Sequence, residues 1–274
     1  MAPSKSAAPV AAKRTPTEEK RVVNEWIAKF EGDPEKLDHR MVDEFVKRHM
    51  GDFEAPELFA GSLLRILKAG GLAAIPAFEG LLFLVLGRNF ALDDLYQEAY
   101  NLLKPSICFS PHGQQLLELV DRALSSPYIP KYMLAAFAKR LARLLLWAPA
   151  AAQQTISVVL KNMFVSHEGV FEPLVNRKEP STMAADPFDN EAKLADCRAA
   201  DSSLWELKAL ANHWHIGVAD RSKFIFGGKP DQRVPVRAVD PIAEIKRKAK
   251  MEKSSINTTL VKKRLAATAE LIVD

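Results

Sequence analysis

Two histidines separated by one residue, His213 and His215, are the first candidates for metal binding in this sequence. Cys197 and Asp196 lie upstream and are also residue types that bind zinc. On a helix, side chains two positions apart point in directions about 200° apart, so the two histidines cannot share an ion there. We therefore expect no metal site. One histidine is expected to cap or pack at a helix end, and the other to face solvent.

The sequence as a whole has no signature of catalysis. It contains no Gly-rich phosphate loop, no nucleophile elbow and no metalloprotease helix motif. The pairs Gly70–Gly71 and Gly227–Gly228 lack a strand-to-helix context and are predicted to be turns. Cys108 and Cys197 are too few for a disulfide framework or a four-cysteine zinc site, and we expect buried or incidental thiols. We expect no catalytic residue, no cofactor and no small-molecule substrate.

Ser203 and Glu206 have the spacing of a capping box, in which each side chain satisfies a terminal backbone donor of a starting helix. The residues that follow, LWELKALANHW, have helical periodicity. The apolar positions on a common side are Leu204, Leu207, Leu210, Ala211 and Trp214. This pattern predicts a helix packed in the core, and a groove for a partner is the alternative.

Three basic residues, Lys139, Arg140 and Arg143, flank an apolar stripe in the segment PKYMLAAFAKRLARLLLWAP. Spacings of three and four residues place Arg140 and Arg143 on the same side of a helix. They are candidates to contact phosphates or an acidic partner. The alternative is an ordinary solvated edge of a helix.

The C-terminal region is strongly basic. From residue 221 to 264, thirteen basic residues face four acidic ones, a net charge of +9. The densest cluster contains Lys246, Arg247, Lys248, Lys250 and Lys253. Such a cluster serves as a nuclear-import element, as a contact to RNA phosphates or as a solubilising tail. We expect residues 227–274 to form a basic tail that is extended, or helical only when bound.

The middle of the chain is acidic. Residues 168–206 contain nine acidic and four basic residues, a net charge of −5, whereas the whole chain carries only +4. Within this stretch we expect an exposed acidic loop at about residues 176–200, because it has almost no apolar periodicity.

Helical periodicity recurs along most of the chain, and prolines fall between the periodic segments. The predicted helices are 17–31, 37–50, 56–69, 75–88, 91–104, 112–125, 129–147 and 150–167. No strand alternation with Asn-Gly or Asp-Gly turns appears. Short joints between amphipathic helices favour an all-α, HEAT-like solenoid of stacked antiparallel helix pairs over residues 17–226. An irregular helical bundle is the alternative, and residues 1–16 are predicted to be a disordered tail.

The most apolar run, residues 71–87, is interrupted by Pro76 and Glu79. Its unbroken part is well short of the ~20 residues that span a bilayer, so we expect a buried helix and no membrane association. The first residues lack the apolar region of a secretory signal, and the low cysteine count fits a reducing intracellular setting.

Two long blocks give the chain a family resemblance. PKYMLAAFAKRLARLLLWAP and DPFDNEAKLADCRAADSSLWELKALANHWH resemble the C-terminal half of the nucleolar complex protein four family, which carries a CCAAT-binding-factor-type domain. GGLAAIPAFEGLLFLVLGRNFALDDLYQEAYNLLKPS is similar to the preceding helices of that family. The resemblance covers about residues 60–225. The residues that match the second block, and whose role is expected to be mainly structural, are Ser203, Leu204, Trp205, Glu206, Leu207, His213, Trp214 and His215.

The resemblance implies a non-catalytic assembly factor of the small ribosomal subunit in the nucleolus. Members of the family work in the small-subunit processome together with nucleolar protein fourteen, close to pre-ribosomal RNA. Family proteins are about twice as long, so this chain is expected to be a reduced version or an incomplete gene product. Two alternatives remain: a large-subunit nucleolar complex factor with the same domain, and a stand-alone RNA-binding helical module that uses its basic tail.

Overall fold

The computed structural model describes residues 16–175, 185–226 and 232–240, and the single residues 243, 246 and 250. Within these residues the secondary structure is helical and no strand is present. The α-helices are α1 (Pro16–Phe30), α2 (His39–Glu44), α3 (Ala60–Ala69), α4 (Ala74–Arg88), α5 (Leu95–Leu102), α6 (Gly113–Ala123), α7 (Lys131–Leu145), α8 (Ala150–Ser166), α9 (Glu172–Val175), α10 (Trp205–Leu210) and α11 (Ile216–Ser222). The predicted tail of residues 1–16 lies outside the described residues, except that Pro16 begins α1.

The prediction of an all-α fold built from helices stacked on their neighbours is confirmed. All eight predicted helices are present, and most of them are shorter than predicted. The second predicted helix is not uniform, since α2 continues as a π-helix over Phe45–His49. The described residues fall into two compact units that divide between Ile107 and Cys108. The extent of the helical domain, residues 17–226, stays a prediction.

The first unit is organised around aromatic side chains. Phe45 lies at the centre, with ring centroids 4.8 Å from Trp26, 5.0 Å from Phe30 and 4.7 Å from Phe59. Tilted and edge-on pairs of this kind each add about 0.5–1.5 kcal/mol beyond the burial of apolar area. The aromatic residues therefore join α1 and α2 to the segment that leads into α3.

Helices α3 and α4 pack on each other and are connected by the predicted turn at Gly70–Gly71. Both glycines have positive φ angles, 79° and 73°, which residues with a side chain rarely adopt. The short turn makes the two helices antiparallel neighbours. Helix α4 is the predicted buried apolar helix, and most of its side chains are buried, including Pro76. Among the described residues, no helix is both long and apolar enough to cross a membrane.

The second unit is built on α7 and α8, which pack together across a short joint that ends at Pro149. Proline precedes both helices, at Pro130 and Pro149, where its missing N–H costs no helical hydrogen bond. Helix α8 also contacts α6 and α11, and α7 contacts α10. This arrangement places α7 between the core of the unit and the irregular segment that precedes α10.

Candidate functional site

A charged cluster lies within the apolar surroundings of α7. Lys139 is at the centre of this helix, and its side chain has no exposed surface. Its helical neighbours Ala135, Ala136, Phe137 and Ala138 are all buried. A buried ammonium group is stable only when each of its donors is paired.

The ammonium of Lys139 has three acceptors, which match its three donors. It donates to Oε1 of Glu206 at 2.6 Å, to Oδ2 of Asp186 at 2.7 Å and to the carbonyl oxygen of Ser203 at 2.7 Å. Glu206 is fully buried like Lys139, whereas the side chain of Asp186 retains 16% of its exposure. Lys139 thereby connects α7 to three residues that lie at least 47 positions further along the chain.

Asp186 accepts hydrogen bonds on both carboxylate oxygens. Oδ2 accepts from Lys139, from Nη2 of Arg143 at 2.9 Å and from the indole N–H of Trp205 at 2.9 Å. Oδ1 accepts from the hydroxyl of Ser202 at 2.5 Å and from the backbone N–H of Phe188 at 3.1 Å. Because Glu206 also lies 3.2 Å from Nε of Arg143, two cations and two carboxylates form a neutral group, which we call the α7 charge cluster. The α7 charge cluster comprises Lys139, Arg143, Asp186 and Glu206.

The two carboxyl groups of the α7 charge cluster titrate in opposite directions. Burial opposes ionisation of Asp186, but hydrogen bonds from Lys139, Ser202 and Trp205 outweigh it and hold the pKa well below its usual range. At Glu206 burial dominates and raises the pKa, although the charges of Lys139 and Arg143 partly offset this effect. Oε2 of Glu206 is buried without a hydrogen-bond partner in the described part of the chain, which agrees with this direction.

The predicted surface position of the basic residues on α7 is corrected by these contacts. Lys139 is fully buried, and Arg140 is 8% exposed and donates to the carbonyl oxygen of Asn190 at 2.7 Å. Neither side chain lies on a solvated edge or is available to a phosphate. Arg143 keeps about a quarter of its exposure, and its guanidinium lies 5.3 Å from the Trp205 ring. A contact of Arg143 with an external partner stays a prediction.

The predicted exposed acidic loop is correct for most acidic residues of its described part, residues 185–200, because Asp189, Glu191 and Asp196 are exposed. It is corrected for the residues that pack inward. Phe188, Leu194 and Cys197 are buried, and Asp186 points into the α7 charge cluster. The predicted region 176–184 lies outside the described residues. The lack of helical periodicity is real, because this segment is irregular, but its apolar residues are spaced to pack against the helices rather than to form one.

The predicted capping box does not form. Helix α10 begins at Trp205 with Leu204 at the N-cap, and no side chain caps it. Ser203 contributes its carbonyl oxygen to Lys139, and Glu206 points into the α7 charge cluster instead of back to the N-cap. Ser203 and Glu206 therefore pair with the buried charge of Lys139 and leave the first backbone N–H groups of α10 without a side-chain cap. Leu204, Leu207 and Leu210 are buried, as the core interpretation predicts.

The two histidines confirm the capping prediction. His215 is buried and is the N-cap of α11, where Nδ1 accepts from the backbone N–H of Gly217 at 3.1 Å. His213 is partly exposed, its Nδ1 accepts from the backbone N–H of His215, and burial lowers its pKa. Trp214 was expected on the buried side of a helix, but it lies beyond the end of α10 and is 77% exposed. The chain turns there, since α10 and α11 are separate helices.

Residues 74–222 match the CBF/Mak21 family. This chain belongs to that family. All four residues of the α7 charge cluster, and the paired histidines, fall inside the CBF/Mak21 match, whereas α1 to α3 and the basic tail fall outside it. The resemblance found in the sequence blocks is therefore confirmed, and the charge cluster is a feature of the CBF/Mak21 part of the chain.

Several known proteins are similar to this chain over much of its length. A human nucleolar complex protein 4 homologue is 37% identical over 171 residues, which are 62% of this chain and 33% of the relative. The mouse homologue is 35% identical over 191 residues, 69% of this chain and 36% of the relative. An uncharacterised protein of Caenorhabditis elegans is 33% identical over 204 residues, 74% of this chain and 40% of the relative. The chain thus spans about a third to two fifths of the length of these relatives.

The remaining candidates are the basic cluster, which lies outside the CBF/Mak21 match, and the two cysteines, which lie inside it. Lys246 and Lys250 are exposed, while Arg247, Lys248 and Lys253 lie outside the described residues. Cys197 is buried, and burial raises the pKa of the half-buried Cys108 thiol to about 11. Over the described ranges, no group of three or more His, Cys, Asp or Glu side chains is arranged to hold a metal ion.

Sequence inspection missed the pairing within the α7 charge cluster, although one signal was present. Lys139 follows a run of apolar residues, LAAFA, in the middle of a helix. A lysine so placed needs a buried carboxylate partner. The sequence does not identify the carboxylate partners of Lys139, because Asp186 and Glu206 are distant in sequence and lie among several other acidic residues.

Proposed function

We propose that this chain is part of a nucleolar ribosome-biogenesis factor that acts as a non-catalytic, HEAT-like helical scaffold. The observation that carries the proposal is the CBF/Mak21 match together with the similarity to nucleolar complex protein 4 homologues over most of the chain. The location that follows is the nucleus and nucleolus. Within ribosome biogenesis, we propose the small-subunit processome as the site of action, with a nucleolar-protein-fourteen-like protein as the partner.

The α7 charge cluster supports a structural role for its residues. All three donors of Lys139 are used internally, and the two cations balance the two carboxylates. Such a cluster holds residues 185–206 against α7 rather than presenting a free acid or base to a substrate. A rigid irregular segment between helices is useful in a scaffold, since its shape is fixed before a partner binds.

Large aromatic side chains at the surface support partner binding. On the second unit, Tyr128 is 92% exposed, Trp214 77% and Trp147 69%. Exposed tryptophan and tyrosine are enriched in protein–protein interfaces, where each can bury a large area. All three lie within the CBF/Mak21 match, and the two tryptophans, Trp147 and Trp214, are the proposed anchors.

Affinity purification of the tagged chain from cells tests the proposal, with mass spectrometry of bound proteins and sequencing of bound RNA. Small-subunit precursors and a nucleolar-protein-fourteen-like protein are expected. Large-subunit precursors alone would assign the chain to a sister nucleolar complex. Recovery of neither precursor would contradict a role in ribosome assembly.

Direct RNA binding through the basic tail is tested separately with purified protein. Lys246 and Lys250 are exposed. If the tail binds RNA, the logarithm of the affinity falls linearly with the logarithm of the salt concentration, and each lost phosphate contact reduces the slope by roughly 0.7 for single strands. Replacing both lysines by glutamine should reduce the slope accordingly. An unchanged slope would leave the tail without a role in RNA binding.

A further inference from the structure

A second polar cluster, remote in sequence from the α7 charge cluster, lies on the faces of α6 and α8. It consists of Asp121 at the end of α6, Ser125 just beyond it, and Asn162 and Ser166 on the last turns of α8. Asn162 is 1% exposed, so its amide must be paired. We call these four residues the α6–α8 clamp.

Residues of the C-terminal segment occupy the α6–α8 clamp. The side-chain amide of Asn162 donates from Nδ2 to the carbonyl oxygen of Val234 at 2.8 Å, and its Oδ1 accepts from the backbone N–H of Val234 at 2.7 Å. A single amide side chain thus satisfies both backbone groups of one residue. Both contacts are made to backbone atoms, so they do not depend on the type of side chain at position 234.

The neighbouring arginine supplies the contacts that depend on residue type. Arg233 donates from Nη2 to Oδ2 of Asp121 at 2.6 Å, and from Nη1 to the hydroxyls of Ser125 at 2.6 Å and Ser166 at 2.7 Å. A planar guanidinium can reach three acceptors in this fork, whereas an ammonium cannot match the geometry.

Asp121 connects the two halves of the clamp. Its Oδ1 accepts from Nδ2 of Asn162 at 2.9 Å, while its Oδ2 binds Arg233. The first contact fixes the orientation of the Asn162 amide, so that its oxygen faces the Val234 N–H and its nitrogen the Val234 carbonyl. The clamp is therefore organised by α6 and α8 and does not depend on the bound segment for its amide orientation.

The sequence of the bound segment suits a main-chain clamp. Pro235 follows Val234 and restricts it to the extended conformation. Residues 233–240 form neither helix nor strand, so the backbone groups of Val234 are free of a regular ladder and available to Asn162. A pre-extended segment loses less conformational entropy on binding.

We propose that the α6–α8 clamp is a recognition site for an extended protein segment containing Arg-x-Pro, and that residues 232–240 are its ligand in cis. A partner protein with an Arg-x-Pro segment binds the same four residues in trans by displacing residues 232–240. The cis segment competes strongly, because tethering gives it an effective concentration in the millimolar range. A partner segment therefore binds only if its concentration and affinity are high enough to displace the cis segment. This inference does not rest on the proposed function.

A labelled peptide with the sequence of residues 232–240, QRVPVRAVD, tests the proposal by fluorescence anisotropy with the full chain. The peptide should bind the Arg233→Ala chain about tenfold or more tightly than the wild-type chain, because the cis competitor is weakened. A control peptide with alanine in place of its first arginine should bind the Arg233→Ala chain at least tenfold more weakly. Equal binding of the labelled peptide to the two chains would overturn the competition.

Two further substitutions on the Arg233→Ala background separate recognition from folding. Asn162→Ala should abolish the main-chain contacts and peptide binding. Asp121→Asn keeps an acceptor for Asn162 but removes the negative charge. The preference for the arginine peptide over the alanine peptide should therefore disappear. The circular dichroism melting curve should stay close to that of the Arg233→Ala chain. A retained preference in the Asp121→Asn chain would overturn the assignment of the clamp.

Discussion

Lys139, the buried lysine of α7, depends on its carboxylate partners for its stability in the core. Removing one partner of a buried ion pair leaves an uncompensated charge and costs about 3–5 kcal/mol, whereas replacing both partners by apolar groups is often neutral. Lys139→Met should therefore lower the free energy of unfolding by about 3–5 kcal/mol. The double variant Lys139→Met/Glu206→Leu should recover most of that loss. Urea unfolding followed by circular dichroism measures both, and a double variant as unstable as the single one would contradict the pairing.

The two carboxyl groups of the α7 charge cluster should give opposite pH dependences. The pKa of Asp186 is lower in the folded chain than its unfolded value of about 3.9, so its contribution is present above that pH and lost as the pH falls through the folded pKa. The pKa of Glu206 is higher in the folded chain than about 4.3, so its contribution is present below that pH and lost as the pH rises through the folded pKa.

Comparison of the wild-type chain with Asp186→Asn and Glu206→Gln chains measures these contributions. From pH 3 to 7, the stability advantage of wild type over Asp186→Asn should grow with pH, and its advantage over Glu206→Gln should shrink. The free energy of unfolding at each pH is the measurement. Parallel curves for the two variants would be inconsistent with the opposite titrations.

At the scale of the helices, the sequence predicted most of what the structure contains. Apolar residues three and four positions apart, bounded by prolines such as Pro130 and Pro149, were sufficient to place α1 to α8. Features that depend on contacts between distant segments were not accessible in this way. The π-helix at Phe45–His49 lies where aromatic rings from three segments meet, and the start of α10 is set by a lysine on another helix.

Close packing in the first unit predicts a position that does not tolerate a side chain. A Cβ at Gly80 in α4 would lie 3.0 Å from Leu63 and Val46 and 3.2 Å from the sulfur of Met50. Gly80→Val should destabilise the chain by about 1–3 kcal/mol through overpacking. Gly61→Ala in α3 is the matched control, since nothing lies within 4 Å of its Cβ position, and it should gain up to about 1 kcal/mol from helix propensity. Thermal unfolding ranks the two variants, and a stabilised Gly80→Val chain would contradict the packing.

For the molecule as a whole, the net charge did not predict which charged residues are buried. The distribution of charge along the sequence predicted this only in part. Most described acidic residues of the stretch 168–206 are exposed, as expected, but Asp186 and Glu206 turn inward to meet Lys139 and Arg143. A sequence does not show whether a charged side chain faces solvent or the core, and only the fold decides which charges neutralise each other. The family was accessible from sequence because the order of apolar and charged residues in two long blocks needs no three-dimensional information.

Exposed tryptophan on the second unit predicts a separation of binding from stability. Trp214 is 77% exposed, so Trp214→Ala should change the free energy of unfolding by less than about 0.5 kcal/mol. Loss of an interface anchor typically costs 2 kcal/mol or more of binding, so recovery of partner protein in the affinity purification should fall clearly. Undiminished recovery would exclude Trp214 as an anchor.

The complete enclosure of Lys139 also has a consequence for chemical reactivity. An amine acylates only when it is deprotonated and open to the reagent, and this nitrogen is held by three acceptors with no exposed surface. Amine-selective acylation of the native chain should spare Lys139 while it modifies the exposed Lys131 at the start of the same helix. Peptide mass spectrometry after timed labelling would then use Lys139 as an internal clock for the opening of residues 185–206. Acylation occurs there only in the fraction of molecules in which that segment has separated from α7.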